Sequence, residues 1–219
     1  MHRIETEAKF LVREAAVHQA VGRMRRLGRF QVVERSRQRQ RNTYLDTADQ
    51  ALRRSREVLK LRQVGRFNEV TFKREIRFRR GVSSRIEITS AISKARVPAF
   101  LNKNGRLSIK PVQWARKTAG GRSLSPVFTL LTDRRKRILE WDRHRIELDL
   151  DRVTFHRPGG GRFSFLEVEL ENLTASPQLF HQALSALKRR FGKGLRPSRI
   201  PKAEFGFRRL QRENKVSRT

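Results

Sequence analysis

The 219-residue chain has no cysteine. That absence excludes disulfide scaffolds, thiolate zinc sites and cysteine nucleophiles. No apolar run approaches the ~18 residues a membrane span needs, and no signal-peptide core follows Met1. The expectation is a soluble cytoplasmic protein with no membrane association. Acidic residues are also scarce: 21 Asp and Glu stand against 52 Lys and Arg, a formal net charge of +31. A balance of that sign favours a polyanionic partner: nucleic acid, an anionic surface or a phosphorylated small molecule. Arginine-rich solvated surface would give the same balance, so composition names the sign of the partner and nothing finer. The hydrophobic share of 37% is low, but the length suffices for one domain with a buried core. Neither an internal repeat nor a low-complexity linker divides the chain. One domain over residues 1–212 is expected, with a loose polar tail at 213–219.

Other signatures are missing too. His2, His18, His144, His156 and His181 show no metal-ligand spacing. Gly159-Gly160-Gly161 lacks the Gly-Lys-Ser/Thr of a phosphate-binding loop and reads as the turn of a hairpin. Trp114 and Trp141 read as packing residues, and Leu101 to Gly105 as a loop.

What is present is alternation. An opening strand carries Glu5, Glu7 and Lys9 on one face. Val17, Ala20, Val21 and Met24 recur at helical spacing, stopped by Gly28. Strands are expected at 30–45, 57–64, 68–78 and 83–89, with a break at Asp46-Thr47-Ala48-Asp49. Helices are expected near 94–102 and 110–117, ended by Gly120-Gly121. Further strands follow at 125–134, 136–141, 144–154 and 162–171. A further helix starts at the N-cap Ser176 with Pro177 in its first turn. It buries Phe180, Ala183, Leu184, Leu187 and Phe191 and closes at Gly192. The fold class is α+β, with at least eight antiparallel strands and interspersed helices.

The polar faces of these strands are charged and segregated by sign. Lys60 and Arg62 lie opposite Leu59 and Leu61, and Lys73 lies opposite Phe72. Arg85 and Glu87 alternate with Ile86 and Ile88. Glu147, Asp149 and Asp151 share one face, as do Glu167, Glu169 and Glu171. An ordinary half-exposed sheet also alternates. Rows of carboxylates, however, repel, by about 4 kcal/mol for a pair at ~4 Å and an effective dielectric of ~20. The spacing along a strand, near ~6.6–7 Å, lowers that cost but repeats it. Such rows suit a hard divalent cation, Mg²⁺ or Mn²⁺, bound through oxygen, and rows of Lys and Arg suit phosphate oxygens. A closed barrel with a polar lumen would bring both together. Arg35, Arg37, Arg39 and Arg41 form a further one-sided stripe, either solvated surface or a track for polyphosphate or nucleic acid.

Glu5-x-Glu7-x-Lys9 resembles the ExExK signature of the CYTH superfamily, the triphosphate tunnel metalloenzymes. The resemblance continues in order through Tyr44-Leu45-Asp46-Thr47, Leu59-Lys60-Leu61-Arg62, Thr71-Phe72-Lys73 and Arg85-Ile86-Glu87. It then takes in Thr132-Asp133-Arg134-Arg135, Leu148-Asp149-Leu150-Asp151 and the run from Phe165 to Glu171. Pro201-Lys202-Ala203-Glu204-Phe205-Gly206-Phe207 is similar to the family's Ser-Lys-x-x-x-Gly-Tyr ending, with Pro201 and Phe207 as departures.

The resemblance covers about residues 3–210 and implies an eight-stranded antiparallel barrel whose tunnel holds a triphosphate. The family includes inorganic and thiamine triphosphatases, class IV adenylate cyclases and fungal-type RNA triphosphatases. It implies Glu5, Glu7 and Glu169 as ligands of a principal Mg²⁺ or Mn²⁺, with Glu87, Glu167 and Glu171 near it or near a second ion. It implies Lys9, Lys60, Arg62, Lys73, Arg85, Arg134 or Arg135, and Lys202 as phosphate-binding groups, with Lys9, Lys202 and Glu7 closest to catalysis. Which of Arg134, Arg135 and Arg137 faces inward stays open. The implied activity is metal-dependent hydrolysis of a triphosphate, inorganic triphosphate first. Adenylate cyclase or thiamine triphosphatase activity is the alternative on the same fold. A binding module for polyphosphate or nucleic acid is the non-enzymatic one.

Overall fold

A computed structural model describes residues 3–79, 81–102, 107–156 and 162–216, the last five as backbone alone. Strand β1 (Arg3–Val12) leads into helix α1 (Ala15–Arg23), the short β2 (Arg26–Leu27) and the long β3 (Phe30–Asp46). Asp46 and Thr47 make the turn that follows. The Asp46 carboxylate accepts from the backbone N–H groups of Thr47, Leu52 and Arg53, and Thr47 Oγ1 accepts from Ala51. They fix α2 (Ala51–Arg54), after which β4 (Glu57–Val64), β5 (Phe67–Arg79) and β6 (Val82–Ala91) form a meander. Helices α3 (Arg96–Asn102) and α4 (Lys110–Ala119) follow, and Gly120, at φ 58°, ends α4 in a conformation that suits glycine. Then come β7 (Ser125–Trp141), β8 (His144–His156), β9 (Arg162–Asn172) and α5 (Pro177–Phe191). Ser176 caps α5 as expected, accepting from the Leu179 N–H at 3.3 Å. A 3-10 turn at Gly192–Gly194, β10 (Leu195–Pro197) and α6 (Lys202–Val216) complete the described chain.

Eight strands close on themselves in the order β1-β6-β5-β4-β3-β7-β8-β9, and β9 pairs back to β1. Every pairing is antiparallel, which confirms the expected eight-stranded barrel. The two short strands sit outside the ring, β10 on β1 and β2 on β3. One expectation is corrected: residues 125–141 form one strand rather than two. The C-terminal motif, for which no element was expected, opens a helix. The hairpin turn expected at Gly159–Gly161 and the loop tip at 103–105 lie outside the described residues, as does the end of the expected tail. β8 and β9, on either side of the glycines, do pair antiparallel.

Apolar residues lie mostly on the outer face of the barrel, under helices. Phe10, Leu148, Leu150, Val168 and Leu170 meet Val21 of α1 and Phe180, Leu184 and Leu187 of α5. Leu59, Leu61, Val70, Phe72 and Ile88 meet Phe100 of α3 and Val112 and Ala115 of α4. Each such side chain contributes about 1.5–3 kcal/mol by leaving water. The inner face would be polar throughout were it not for one end, where β3 and β8 finish and β7 and β9 begin. There Tyr44, Phe128, Leu130, Val153 and Phe155 pack with Ala203 and Phe207 of α6. Tyr44 stacks on Phe128 at 4.9 Å between ring centroids, and Phe207 meets Phe128 edge-on at 5.1 Å. The helix thereby plugs one end of the lumen and delivers its first residue, Lys202, inside.

Candidate active site

Because core residues at even positions of β1 face outward, Glu5, Glu7 and Lys9 face the lumen. Register places Glu7 opposite Glu171 and Lys9 opposite Glu169 on β9, and Glu5 opposite Arg85 on β6. The resulting cavity, of about 510 Å³, also takes in Lys60, Arg62, Lys73, Glu87, Arg134 and Lys202.

Within it, cations and carboxylates are interleaved. Lys73 Nζ lies 2.6 Å from Glu5 and 2.7 Å from Glu87. Arg85 is paired with Glu7. Lys9 bridges Glu7 at 3.2 Å and Glu169 at 2.8 Å. Lys202 reaches Glu169 at 2.8 Å and both Asp151 and Glu167 at 3.0 Å. Arg134 holds Asp151 at 2.7 Å and Glu169 at 2.8 Å, and also pairs with Asp149. Arg62 pairs with Glu69 at 3.0 Å, and Glu171 pairs with Arg3 nearer the surface. Lys60 alone among these cations has no carboxylate partner among the described residues, although it is buried.

These placements set the protonation behaviour. Burial pushes Lys60 well below the ordinary lysine range, and the positive charges of Arg62 and Lys73 push it further. Burial also opposes ionisation of Glu5, Glu87 and Glu169, but neighbouring cations win. Lys73 holds Glu5 below its usual value and Glu87 down at about 2, while Lys202 and Lys9 hold Glu169 far down. Glu167 and Glu171 go the other way, both up to about 7, through burial in each case and the charge of Glu5 beside Glu171. Burial raises Asp149 well above the carboxylate range.

Of the arginines left open by the sequence, Arg134 faces the tunnel. Arg135 points to the opposite side of β7, where its Nη2 lies 3.1 Å from His18 Nδ1. It therefore leaves the phosphate-binding set, and Arg137, which shares its parity, lies with it outside. The sequence reading did not assign the acids Asp149 and Asp151, although it saw their alternation. Nor did it assign the neutral lining Gln38, Gln40, Asn42 and Thr132. The signal for those was present in Arg35 to Asn42, where arginines alternate with serine, glutamine and asparagine. The arginine stripe is exposed and its partners turn inward. Arg53 was also missed. It clamps Glu204 of α6 through two 2.8 Å hydrogen bonds and lies 4.9 Å from the Phe207 ring centroid.

The lumen thus offers oxygen donors of the kind a hard cation requires, among cations that match phosphate oxygens. Asp149 Oδ1 is buried without a hydrogen bond, and Glu167 is held only through its ion pair with Lys202. Among the described residues, no three acidic or histidine side chains converge on one point, because Lys and Arg stand between the carboxylates. The CYTH domain profile matches residues 3–194. The chain belongs to the CYTH family.

Solved structures agree on the CYTH fold. A candidate adenylyl cyclase from Hippeastrum, described as having a dominant triphosphatase activity, superposes with a TM-score of 0.68 at 18% identity, over 90% of this chain and 92% of that one. A candidate adenylate cyclase from Bacillus halodurans gives 0.65 at 20% identity, over 93% and 98%. A Pyrococcus horikoshii protein gives 0.51 at 13% identity, over 93% and 99%. At these identities the likeness is one of fold. No curated protein matches the sequence. Among the described residues no helix is long and apolar enough to cross a membrane. Of the departures from the family's C-terminal motif, Phe207 belongs to the apolar plug, and Pro201 O accepts from the Glu204 N–H at 2.9 Å in the first turn of α6.

Proposed function

We propose that this CYTH tunnel binds a triphosphate and that the protein hydrolyses it with the help of a divalent cation, inorganic triphosphate being the first substrate. The observation that carries the reading is Lys60. A buried ammonium without a carboxylate, beside Arg62 and Lys73, is a cost to the empty protein that an anion would remove. Triphosphate supplies that anion, and its remaining oxygens match Lys9, Arg62, Lys73, Arg85, Arg134 and Lys202.

Phosphoryl transfer asks a protein chiefly for positioning and charge stabilisation. Lys9 and Lys202, which share Glu169, exchange that carboxylate for phosphate oxygens as substrate enters. Lys73 and Arg85 do the same at Glu5 and Glu7. The carboxylates so released, Glu5, Glu7 and Glu169, with Glu87, Glu167 and Glu171 near them, would hold Mg²⁺ or Mn²⁺. Such an ion supplies charge neutralisation and a more acidic water. Glu7, between Arg85 and Lys9, orients the attacking water. The water oxygen bonds to the terminal phosphorus as the bridging P–O bond breaks, and orthophosphate and pyrophosphate leave carrying the water's protons.

The substrate preference has a structural support as well. Tyr44 and Phe207, the aromatic rings lining the cavity, are buried by each other's neighbours, so the charged part of the lumen offers no free ring for a base to stack on. Triphosphate, pyrophosphate, thiamine triphosphate, ATP and long-chain polyphosphate should be supplied in turn with Mg²⁺ or Mn²⁺, scoring phosphate and cyclic AMP. Orthophosphate release, fastest from inorganic triphosphate, is expected. Cyclic AMP as the main product would replace hydrolase by cyclase, and no turnover of any substrate would overturn the enzymatic reading.

A further inference from the structure

Asp46 and Thr47 belong to the motif that ends β3, yet neither lines the tunnel. Asp46 instead frames α2, accepting from the backbone N–H groups of Leu52 at 2.9 Å and Arg53 at 3.0 Å. Leu52 is buried in the core that α3 and α4 cover, which leaves Arg53 turned toward α6. Gln50 Oε1 accepts from Arg53 Nη1 at 2.7 Å, so the side chain is steered as well as the backbone. The guanidinium meets Glu204 fork on fork, Nε and Nη2 each donating to a carboxylate oxygen at 2.8 Å. Nη2 also donates to Gln211 at 3.4 Å, and the Phe207 ring centroid lies 4.9 Å from the guanidinium carbon. Glu204, Phe207 and Gln211 stand at i, i+3 and i+7, on one face of the helix. A single side chain therefore grips α6 across two turns and fixes both its rotation and its slide. The apolar contacts of Ala203 and Phe207 supply adhesion without that register.

Lys202 is what that register sets. Lys9, Lys60, Arg62, Lys73, Arg85 and Arg134 all stand on strands of the barrel. Lys202 instead opens α6, two residues before Glu204, and enters the lumen from its plugged end. Its Nζ meets Glu169, Asp151 and Glu167 together, at 2.8, 3.0 and 3.0 Å. Three carboxylates on two strands are reached at once only from one height in the lumen. Upstream, the chain is tied by the Ser198 N–H, which donates to the Lys9 carbonyl at 2.9 Å, and by the exposed pair of Arg199 with Glu75. Downstream, the Arg53–Glu204 pair is the ionic link from α6 to the rest of the fold, since Arg208, the other partner of Glu204, belongs to α6 itself. Displacing a reacting group by ~1 Å costs on the order of 100-fold in rate.

We propose that Arg53 is a positioning residue: through Glu204 it sets the height of α6, and with it the place of Lys202 among the tunnel carboxylates. The turn at Asp46 and Thr47 thereby acts on the site without lining it. Arg53 itself borders the cavity, but its Nε, its Nη1 and both N–H groups of Nη2 are engaged by Glu204, Gln50 and Gln211. A phosphate oxygen would have to compete with that clamp. Neighbouring Arg54 is the contrast, an exposed side chain paired with Asp49 and touching neither α6 nor the lumen. The effect on turnover rests on the triphosphatase proposal above, whereas the placement of Lys202 does not.

The test has two arms. In the first, the intact protein without substrate is treated briefly with acetic anhydride, and acetylation of each lysine is followed by mass spectrometry. Lys202, paired three ways and 12% exposed along its side chain, should label slowly in wild type. In Arg53→Gln and in Glu204→Gln it should label at least about threefold faster, as local release of α6 implies, while Lys73 on the barrel wall keeps its wild-type rate. In the second arm, kcat and KM for phosphate release from inorganic triphosphate are measured. Each single variant should lose roughly tenfold or more in kcat with a smaller change in KM, and Arg53→Gln/Glu204→Gln should be no worse than either. Arg54→Gln should match wild type in both arms. Unchanged Lys202 labelling in Arg53→Gln would overturn the positioning role, and so would Lys73 labelling that rises in step, the mark of general loosening. A kcat loss in Arg53→Gln with none in Glu204→Gln would also overturn it, placing Arg53 on the substrate instead. If wild type releases no phosphate, the enzymatic reading fails by itself, and the labelling arm still decides what holds Lys202.

Discussion

Lys60 and Lys73 sit on adjacent strands of one lumen and differ in their company. Lys73 has two carboxylates within 2.7 Å and Lys60 has none. Replacing Lys60 by Met removes an uncompensated buried charge. The variant should be as stable as wild type or more so, by about 1 kcal/mol in denaturant titrations without ligand. It should nevertheless bind triphosphate roughly tenfold more weakly by calorimetry. Unchanged triphosphate affinity would show that Lys60 does not meet the substrate. His18 gives a pH prediction. Its native pKa of about 4 lies below the ordinary 6.5, so between those values the unfolded chain holds a proton that the native chain does not. Stability therefore falls as pH drops from 6.5 to 4, by on the order of 2 kcal/mol from this group. His18→Gln should flatten that part of the stability profile relative to wild type. Residue pairs also mark where the sequence stopped being legible. Alternation says that Arg134 and Arg135 face opposite ways, but only the pairing of Arg134 with Asp151 on β8 says which is inside.

At the level of elements, α6 shows what local pattern conceals. Ala203, Phe207 and Leu210 recur at helical spacing, yet they stand in a short, mostly polar stretch, and the motif was legible only as an ending. Its place is set by Gly206. A β-carbon there would come within 2.2 Å of the Phe128 ring, so the helix can approach only without one. Gly206→Ala should destabilise the docked helix by about 1–3 kcal/mol, move Lys202 and lower turnover, while limited proteolysis at the C-terminus accelerates. Gly192→Ala, with nothing within 4 Å of the added carbon, is the control and should change neither. β7 was mistaken for two strands for a related reason. Asp133-Arg134-Arg135-Lys136 looks like a polar interruption because both faces of the strand are polar at that point. Arg134 and Lys136 line the tunnel, while Asp133 and Arg135 line a cleft outside.

At the scale of the whole molecule, the decisive contact is the least local. The barrel closes when β1 pairs with β9, joining the two ends of the strand sequence and bringing Glu5, Glu7 and Lys9 to Glu169 and Glu171. Strand alternation predicted two-faced strands throughout. The charged faces already suggested a closed barrel with a polar lumen, but which strands meet, and that eight of them close the ring, became legible only through resemblance to a known family. Closure also explains how a chain with a net charge of +31 tolerates its acids in rows. Inside the ring, each row faces Lys and Arg from neighbouring strands and from α6. We propose that this mixed lining is a triphosphate-processing site rather than a structural ion-pair network. The most direct measurement is the steady-state rate of phosphate release from inorganic triphosphate, with Mg²⁺ or Mn²⁺, by wild type and Glu5→Gln/Glu7→Gln, both verified as folded by circular dichroism. The rate in the double variant should lie at least about 100-fold below wild type, as expected when groups acting in the transition state are lost. An equal rate in the two proteins would contradict it.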